Sequence, residues 1–259
     1  MTSFRTTPKD YLTIKADEES IRVITRSKFD SFTPSILGLG NIGSTSNQIH
    51  ALSVMFDLEG FTNFCKQIDP QLAVPEFLND FLHWLFNLIR EETIEETFPE
   101  GYTTFSDLPF LAKFMGDGVL FLWDIEKLSE LQILNIVVTM NNICIDYKNK
   151  FFKSIASKVV SPPANLRCGI ARGAIYSVGD GNDFVGPCIN MSARLQKLNS
   201  LIFCFSRRGL NPEGHNWLKN NVVTMKTDIR GIGSEELVCL LKSQFDRLSA
   251  EDKNKFKNP

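Results

Sequence analysis

The sequence has no apolar run approaching the ~20 residues that cross a bilayer, so no membrane span is expected. Basic residues are not in excess. Lys and Arg total 28 against 30 Asp and Glu, a formal net charge of -2, which gives no reason to expect nucleic acid or an anionic membrane surface as partner. Histidine is scarce: His50, His83 and His215 are the only three, and their spacing suits no zinc site. The six cysteines are scattered without a C-x-x-C pair. Several lie in apolar stretches, where a buried free thiol is the simplest role. Met1-Thr2-Ser3-Phe4-Arg5 lacks the apolar core of a signal peptide, so a cytoplasmic location is expected. There is no internal repeat and no low-complexity stretch. What remains, at 43% hydrophobic and 22% charged over 259 residues, is the composition of an ordinary globular protein.

Two segments stand out. Ser53-Val54-Met55-Phe56-Asp57-Leu58-Glu59-Gly60 and Ala112-Lys113-Phe114-Met115-Gly116-Asp117-Gly118 each run an apolar strand into a Gly-containing turn that carries one aspartate. A carboxylate at the end of a buried strand is costly unless paired or bound to a cation. Side by side, Asp57 and Asp117 would suit Mg²⁺ or Mn²⁺, the hard ions of phosphate chemistry. Aspartate is also common in turns, so neither residue is decisive alone.

A third segment narrows the choice. In Gly186-Pro187-Cys188-Ile189-Asn190-Met191-Ser192-Ala193-Arg194, Asn190 and Arg194 are four apart and share one face of a helix. An amide beside a guanidinium suits a ribose oxygen and a transferring phosphate. Asp183 lies just upstream in the Gly-rich turn Gly179-Asp180-Gly181-Asn182-Asp183. Gly38-Leu39-Gly40-Asn41-Ile42-Gly43 fits G-x-G-x-x-G, but it follows no clear strand and opens no helix, so a dinucleotide loop is not expected there.

Hydrophobic patterning predicts strands at 51–57, 110–115, 118–124, 166–171, 173–178, 201–205, 222–229 and 236–242. The pairs 110–124 and 166–178 are expected to be hairpins. Helices are expected near 61–68, at 71–93 with Phe77, Phe81, Leu85 and Leu88 on its apolar face, at 127–152 with Leu131, Leu134, Val138 and Ile145, at 188–198, and near 212–219. Residues 94–109 read as a loop or insertion. The order is that of an α+β protein with a ferredoxin-like βαββαβ core and C-terminal additions. The expected organisation is an N-terminal extension over 1–50 packed on the core, a catalytic domain over 51–243 and a charged tail over 244–259.

Together the three motifs resemble the catalytic domain of class III nucleotidyl cyclases over roughly residues 51–242. That resemblance implies two divalent cations per site, Mn²⁺ or Mg²⁺, held by Asp57, Asp117 and the Leu58 backbone carbonyl. It implies that Asn190 orients the ribose and that Arg194 neutralises charge on the α-phosphate of a nucleoside triphosphate. Lys113 and Asp183 fall where adenylate cyclases of the family read the base, and Arg230 falls near a triphosphate-binding lysine. It also implies a homodimer, with the metal pair of one subunit facing Lys113, Asp183, Asn190 and Arg194 of the other.

Three departures bear on substrate. The stretch from Asp57 to Asp117 is long, the segment from Gly173 to Gly186 is short, and Val185 replaces a common tryptophan. A contracted base-side loop in a domain without receptor modules is similar to the pyrimidine cyclases of bacterial antiphage (Pycsar) systems, whose product activates a separate effector. UTP to cyclic UMP is the expected reaction. CTP to cyclic CMP, an adenylate cyclase, and an inactive nucleotide-binding module are the alternatives, and the Lys113/Asp183 pair is chemically compatible with more than one base.

Overall fold

Two periodicities organise the chain, one of 2 and one of 3.6 residues, and in the computed structural model they meet in one hydrophobic core. The structure describes residues 11–16, 19–97, 103–105 and 107–259; at 16, 19, 94–97 and 103–105 it describes the backbone alone. The chain divides into two units, one running up to Gln48 and including Tyr176–Val185, the other comprising Ile49–Ile175 and Gly186–Pro259.

The first unit opens with the antiparallel hairpin of β1 (Tyr11–Ala16) and β2 (Glu19–Ile24), in which Tyr11 pairs with Ile24. The Arg22 guanidinium lies 4.5 Å from the centre of the Tyr11 ring, a cation–π contact. A short helix α1 (Arg26–Asp30) follows, with the Thr25 hydroxyl accepting from the Lys28 amide.

In the second unit β3 (Gln48–Leu58) leads through α2 (Phe61–Phe64) to the long helix α3 (Pro70–Glu92). Pro70 sits in the first turn of α3, where a missing N–H is harmless. Pro75 lies deeper, on an exposed side of the helix, where the carbonyl four residues back loses its usual donor. The expected loop after α3 contains a hairpin of β4 (Ile94–Thr97) and β5 (Thr103–Phe105); Phe98 to Tyr102 lie outside the described residues. Next come β6 (Leu111–Phe114) and β7 (Gly118–Asp124), a hairpin turning at 115–117 as the patterning predicts.

Helix α4 (Glu130–Asp146) starts in a capping box of Ser129 and Gln132, passes into a π-helical turn at Tyr147–Phe151, and ends in α5 (Phe152–Ile155). Its buried face is Ile133, Leu134, Val137, Met140 and Cys144, while Leu131 and Ile145 are exposed. The expected stripe of Leu131, Leu134, Val138 and Ile145 is therefore corrected. Apolar residues surround this helix on most sides, so spacing alone does not select the face that packs.

The expected hairpin at 166–178 is a single strand, β8 (Leu166–Val178). Gly173 does not turn the chain. A Cβ there would lie 3.3 Å from the Cys188 Cβ, so the glycine serves close packing within a strand. The turn comes later: β8 pairs through Tyr176–Val178 with β9 (Asp183–Val185), and this hairpin belongs to the first unit. There the Asp180 amide donates to the Leu39 carbonyl at 2.9 Å and the Asn41 amide to Asp180 Oδ1 at 3.3 Å. The G-x-G-x-x-G stretch is thus a loop held by the 179–182 turn.

Helix α6 (Pro187–Leu195) precedes β10 (Phe203–Ser206), which runs parallel to β8. Then follow α7 (Asn216–Asn221), the antiparallel pair β11 (Val222–Ile229) and β12 (Gly233–Leu241), α8 (Lys242–Arg247), α9 (Ala250–Lys253) and β13 (Phe256–Lys257). The charged C-terminal stretch thus folds back: β13 pairs with β11 and Phe256 is buried.

The sheet order is β13-β11-β12-β10-β8-β3-β7-β6. Within it β3-α3-β6-β7-α4-β8 is the ferredoxin-like βαββαβ core. Leu52, Val54, Phe56 and Leu58 of β3 and Val119, Phe121 and Trp123 of β7 join the cluster that contains Phe77, Phe81 and Leu85 of α3 and Leu134 and Val137 of α4. Alternation sends Ser53, Met55 and Asp57 to the opposite face. There α6 packs, with the buried hydroxyls of Ser53 and Ser192 2.7 Å apart. All six cysteines are free, five of them buried, and burial pushes the Cys188 and Cys239 thiols up to about 11.

Gly169 of β8 lets α6 lie directly on the sheet, because a Cβ at this position would overlap the Ser192 carbonyl oxygen and the Gln196 amide nitrogen. Gly169→Ala is expected to destabilise the protein by about 1–3 kcal/mol, read as a lower urea midpoint. An unchanged midpoint would show that α6 can lift off at no cost.

Candidate active site

Asp57 reaches its position because β3 is an alternating strand whose last turn is tied down. Asp57 pairs in register with Gly118 at the start of β7. A Cβ on Gly118 would overlap the Phe56 carbonyl oxygen, so only glycine permits the two strands to approach this closely. The Leu58 amide donates to the Asp117 carbonyl at 2.8 Å, and the Met115 amide donates to the Gly118 carbonyl at 2.8 Å across the turn. Gly116 takes φ +95° in that turn, a conformation glycine adopts without strain. These bonds bring two acidic residues, sixty positions apart in the chain, to one end of the sheet.

The two differ in environment. Asp57 is 6% exposed, whereas Asp117 is half-buried. Lys197 spans them, its Nζ 3.3 Å from Asp57 Oδ1 and 3.9 Å from Asp117 Oδ2. Burial pushes the Asp57 carboxyl above the usual carboxylate range; Lys197 opposes this and the like charge of Asp117 adds to it. Arg167 acts on Asp57 from farther off, because its guanidinium is taken by Glu59, which also accepts from Asn165 Nδ2 at 2.6 Å.

A cleft of about 470 Å³ opens here, lined by Asp57, Asp117, Asn190, Arg194, Lys197 and Gly231 among others. Asn190 and Arg194 stand one turn apart on α6, both exposed, and neither makes a side-chain hydrogen bond or ion pair among the described residues. Four of the residues expected from the sequence thus line one cleft of a single chain. Leu58 is not part of the cleft wall; its side chain is buried in the core and its amide is bonded to the Asp117 carbonyl. Lys113 is exposed on β6 and does not line the cleft. Arg230 is exposed in the β11–β12 turn, while the following Gly231 and Ile232 form part of the wall. Asp183 belongs to the first unit, where its Oδ1 accepts from the Phe184 amide at 2.9 Å.

Lys197 was not anticipated. The signal was present: Asn190, Arg194 and Lys197 follow i, i+4, i+7, one helical stripe. The chain continues past α6 in a further turn, with the Lys197 amide donating to the Arg194 carbonyl at 3.2 Å, which keeps that stripe aligned.

Among the described residues no group of three or more His, Cys, Asp or Glu side chains could hold a metal ion. What the structure brings together here is the two carboxylates of Asp57 and Asp117. This set fits Mg²⁺ or Mn²⁺, hard cations that take one or two carboxylates and complete their shell with water and substrate phosphates. The Lys197 ammonium, already placed between the carboxylates, marks the position as one that accepts positive charge.

No family model matches the sequence, and no curated protein matches it either. The fold, however, is that of the class III nucleotidyl cyclases. The structure is similar to that of the adenylyl cyclase CyaB from P. aeruginosa, with a TM-score of 0.56 at 15% identity, covering 76% of this chain and 96% of that one. It is also similar to the guanylyl cyclase Cya2, with a TM-score of 0.55 at 17% identity over 76% and 94% of the two chains. The guanylate cyclase domain of RhGC from Catenaria anguillulae, solved in complex with GTP, gives 0.51 at 16% identity over 75% and 97%. Among the described residues no helix is long and apolar enough to cross a membrane.

A carboxyl whose folded pKa is raised stabilises the fold fully in acid and loses that contribution as pH rises through the folded value. For Asp57 the raised carboxyl pKa means that this contribution falls away as pH rises above the usual carboxylate range. In chelator, Asp57→Asn is expected to unfold at a temperature equal to or above that of the parent at neutral pH, with the gap closing in acid. Calorimetry across pH checks this; a marked drop at neutral pH would mean that the Lys197 pair outweighs burial.

Proposed function

We propose that this protein is a nucleotidyl cyclase that converts a nucleoside triphosphate to a 3′,5′-cyclic nucleotide and pyrophosphate. The observation that carries this reading is the cleft in which Asp57 and Asp117 face Asn190 and Arg194 on a class III cyclase fold. Asp57, Asp117 and the Leu58 carbonyl would hold two divalent cations, Mn²⁺ or Mg²⁺, whose chemistry is to acidify a ribose 3′-hydroxyl and to neutralise phosphate charge. Asn190 holds the ribose by hydrogen bonds to its oxygens. Arg194 offers its guanidinium to the α-phosphate, where negative charge grows as the 3′-oxygen forms a bond to phosphorus and the bond to pyrophosphate breaks. Both side chains are free of other partners among the described residues, so neither must give up an interaction to bind.

The working unit in this reading is a homodimer. Neither Lys113 nor Arg230 lines the cleft of its own chain, which supports base and triphosphate contacts being supplied by a second copy. Uracil is the base we assign, on the resemblance to pyrimidine cyclases, with Lys113 and Asp183 as its readers and Arg230 at the triphosphate. In this reading the cyclic product is a cytoplasmic second messenger of antiphage defence, acting through a separate effector.

Incubation with each of ATP, GTP, CTP and UTP plus Mn²⁺, with products identified by mass spectrometry, tests the reading. Cyclic UMP is the expected main product. A different cyclic nucleotide would correct the base alone, and no cyclic product from any of the four would contradict the reaction. Asp117→Asn and Arg194→Ala are each expected to lower turnover at least a hundredfold. Mixing an Asp117→Asn chain with a Lys113→Ala chain, whose lesions fall on opposite sides of the shared site in this reading, is expected to restore activity in the heterodimer, and no rescue would mean that each site is built within one chain.

A further inference from the structure

We propose that Lys197 is the resident counter-ion of the acidic pair, exchanging its place between Asp57 and Asp117 for the divalent cations that the site takes up, and so setting the concentration at which metal binds. This rests on the reading of Asp57 and Asp117 as metal ligands.

The geometry is specific. One ammonium lies within 3.3 Å of a buried carboxylate and 3.9 Å of a half-buried one. Among the described residues no other cation forms an ion pair with either aspartate; Arg167, the next positive group acting on Asp57, is held by Glu59. Two like charges gathered by strand pairing repel, and one buried carboxylate without a partner is costly. Lys197 relieves both while no metal is bound.

The same ammonium must then leave. A lysine at this distance and a divalent cation on the same carboxylates would be two positive charges in contact, so occupancy is exclusive. Departure is easy, because the Lys197 side chain is 57% exposed and sits on a flexible four-carbon stem. It is anchored just beyond Arg194, so the displaced ammonium remains at the same cleft wall, positive charge beside the place where phosphates bind. Lys197 is thus a positioning residue for the charge of the site, acting through the aspartates.

Titration of the full-length protein with Mn²⁺ alone, followed by electron paramagnetic resonance of free Mn²⁺, reads the exchange without turnover. Lys197→Met is expected to bind Mn²⁺ about fivefold more tightly than the parent, the scale of a partly exposed ion pair. Lys197→Arg, which keeps the charge, should stay near the parent. In chelator, Lys197→Met should melt at a lower temperature, and saturating Mn²⁺ should close that gap. Affinity that is unchanged, weaker or undetectable in Lys197→Met overturns the proposal. The metal reading is separable: if Asp57→Asn keeps the parent's Mn²⁺ affinity, the ligand assignment fails, whereas loss of binding in Asp57→Asn with no gain in Lys197→Met defeats only the exchange.

Discussion

Two carboxylates forced together at one end of a sheet are the constraint on which the rest of this structure depends. The register that pairs Asp57 with Gly118 leaves the fold no way to separate them. Burial of Asp57 and the proximity of Asp117 both oppose ionisation. A site built in this way is stable only with positive charge supplied from outside the pair. Within the described chain that charge is Lys197; in the proposed reaction it is a pair of divalent cations and the Arg194 guanidinium.

The scaffold is arranged to keep that conflict in place. One face of β3 fills the core against α3 and α4, so the strand cannot slip by one residue without turning Leu52, Val54 and Phe56 outward. The other face carries Ser53, whose hydroxyl meets Ser192 of α6. Gly169 lets the backbone of that helix rest on β8. Through these contacts the helix bearing Asn190 and Arg194 is held at a fixed height over the strand bearing Asp57. Positioning of this kind is what phosphoryl-transfer chemistry asks of a protein, since most of the barrier is met by charge placement and not by covalent help.

Much of this was legible in the sequence. The strand-to-turn segments around Asp57 and Asp117 and the i, i+4 pair on α6 are local patterns, and local patterns survive folding. The βαββαβ order followed from periodicity in the same way. What was not legible depended on neighbours distant in sequence. Gly173 reads as a turn until Cys188 is seen packed against it. The buried face of α4 cannot be chosen from a helix that is apolar almost all round. Lys197 looks like one more surface lysine near the end of a helix, and only the fold puts it between two carboxylates.

The central claim is that the cleft holds metal and nucleotide together, with the acidic pair beside the α-phosphate. ³¹P relaxation of a bound, non-cyclisable nucleoside triphosphate in the presence of Mn²⁺ measures this directly. Strong relaxation at the α-phosphorus that disappears in Asp57→Asn is the expected result. Equal α-phosphorus relaxation in the two proteins, or none in the parent, would contradict the account.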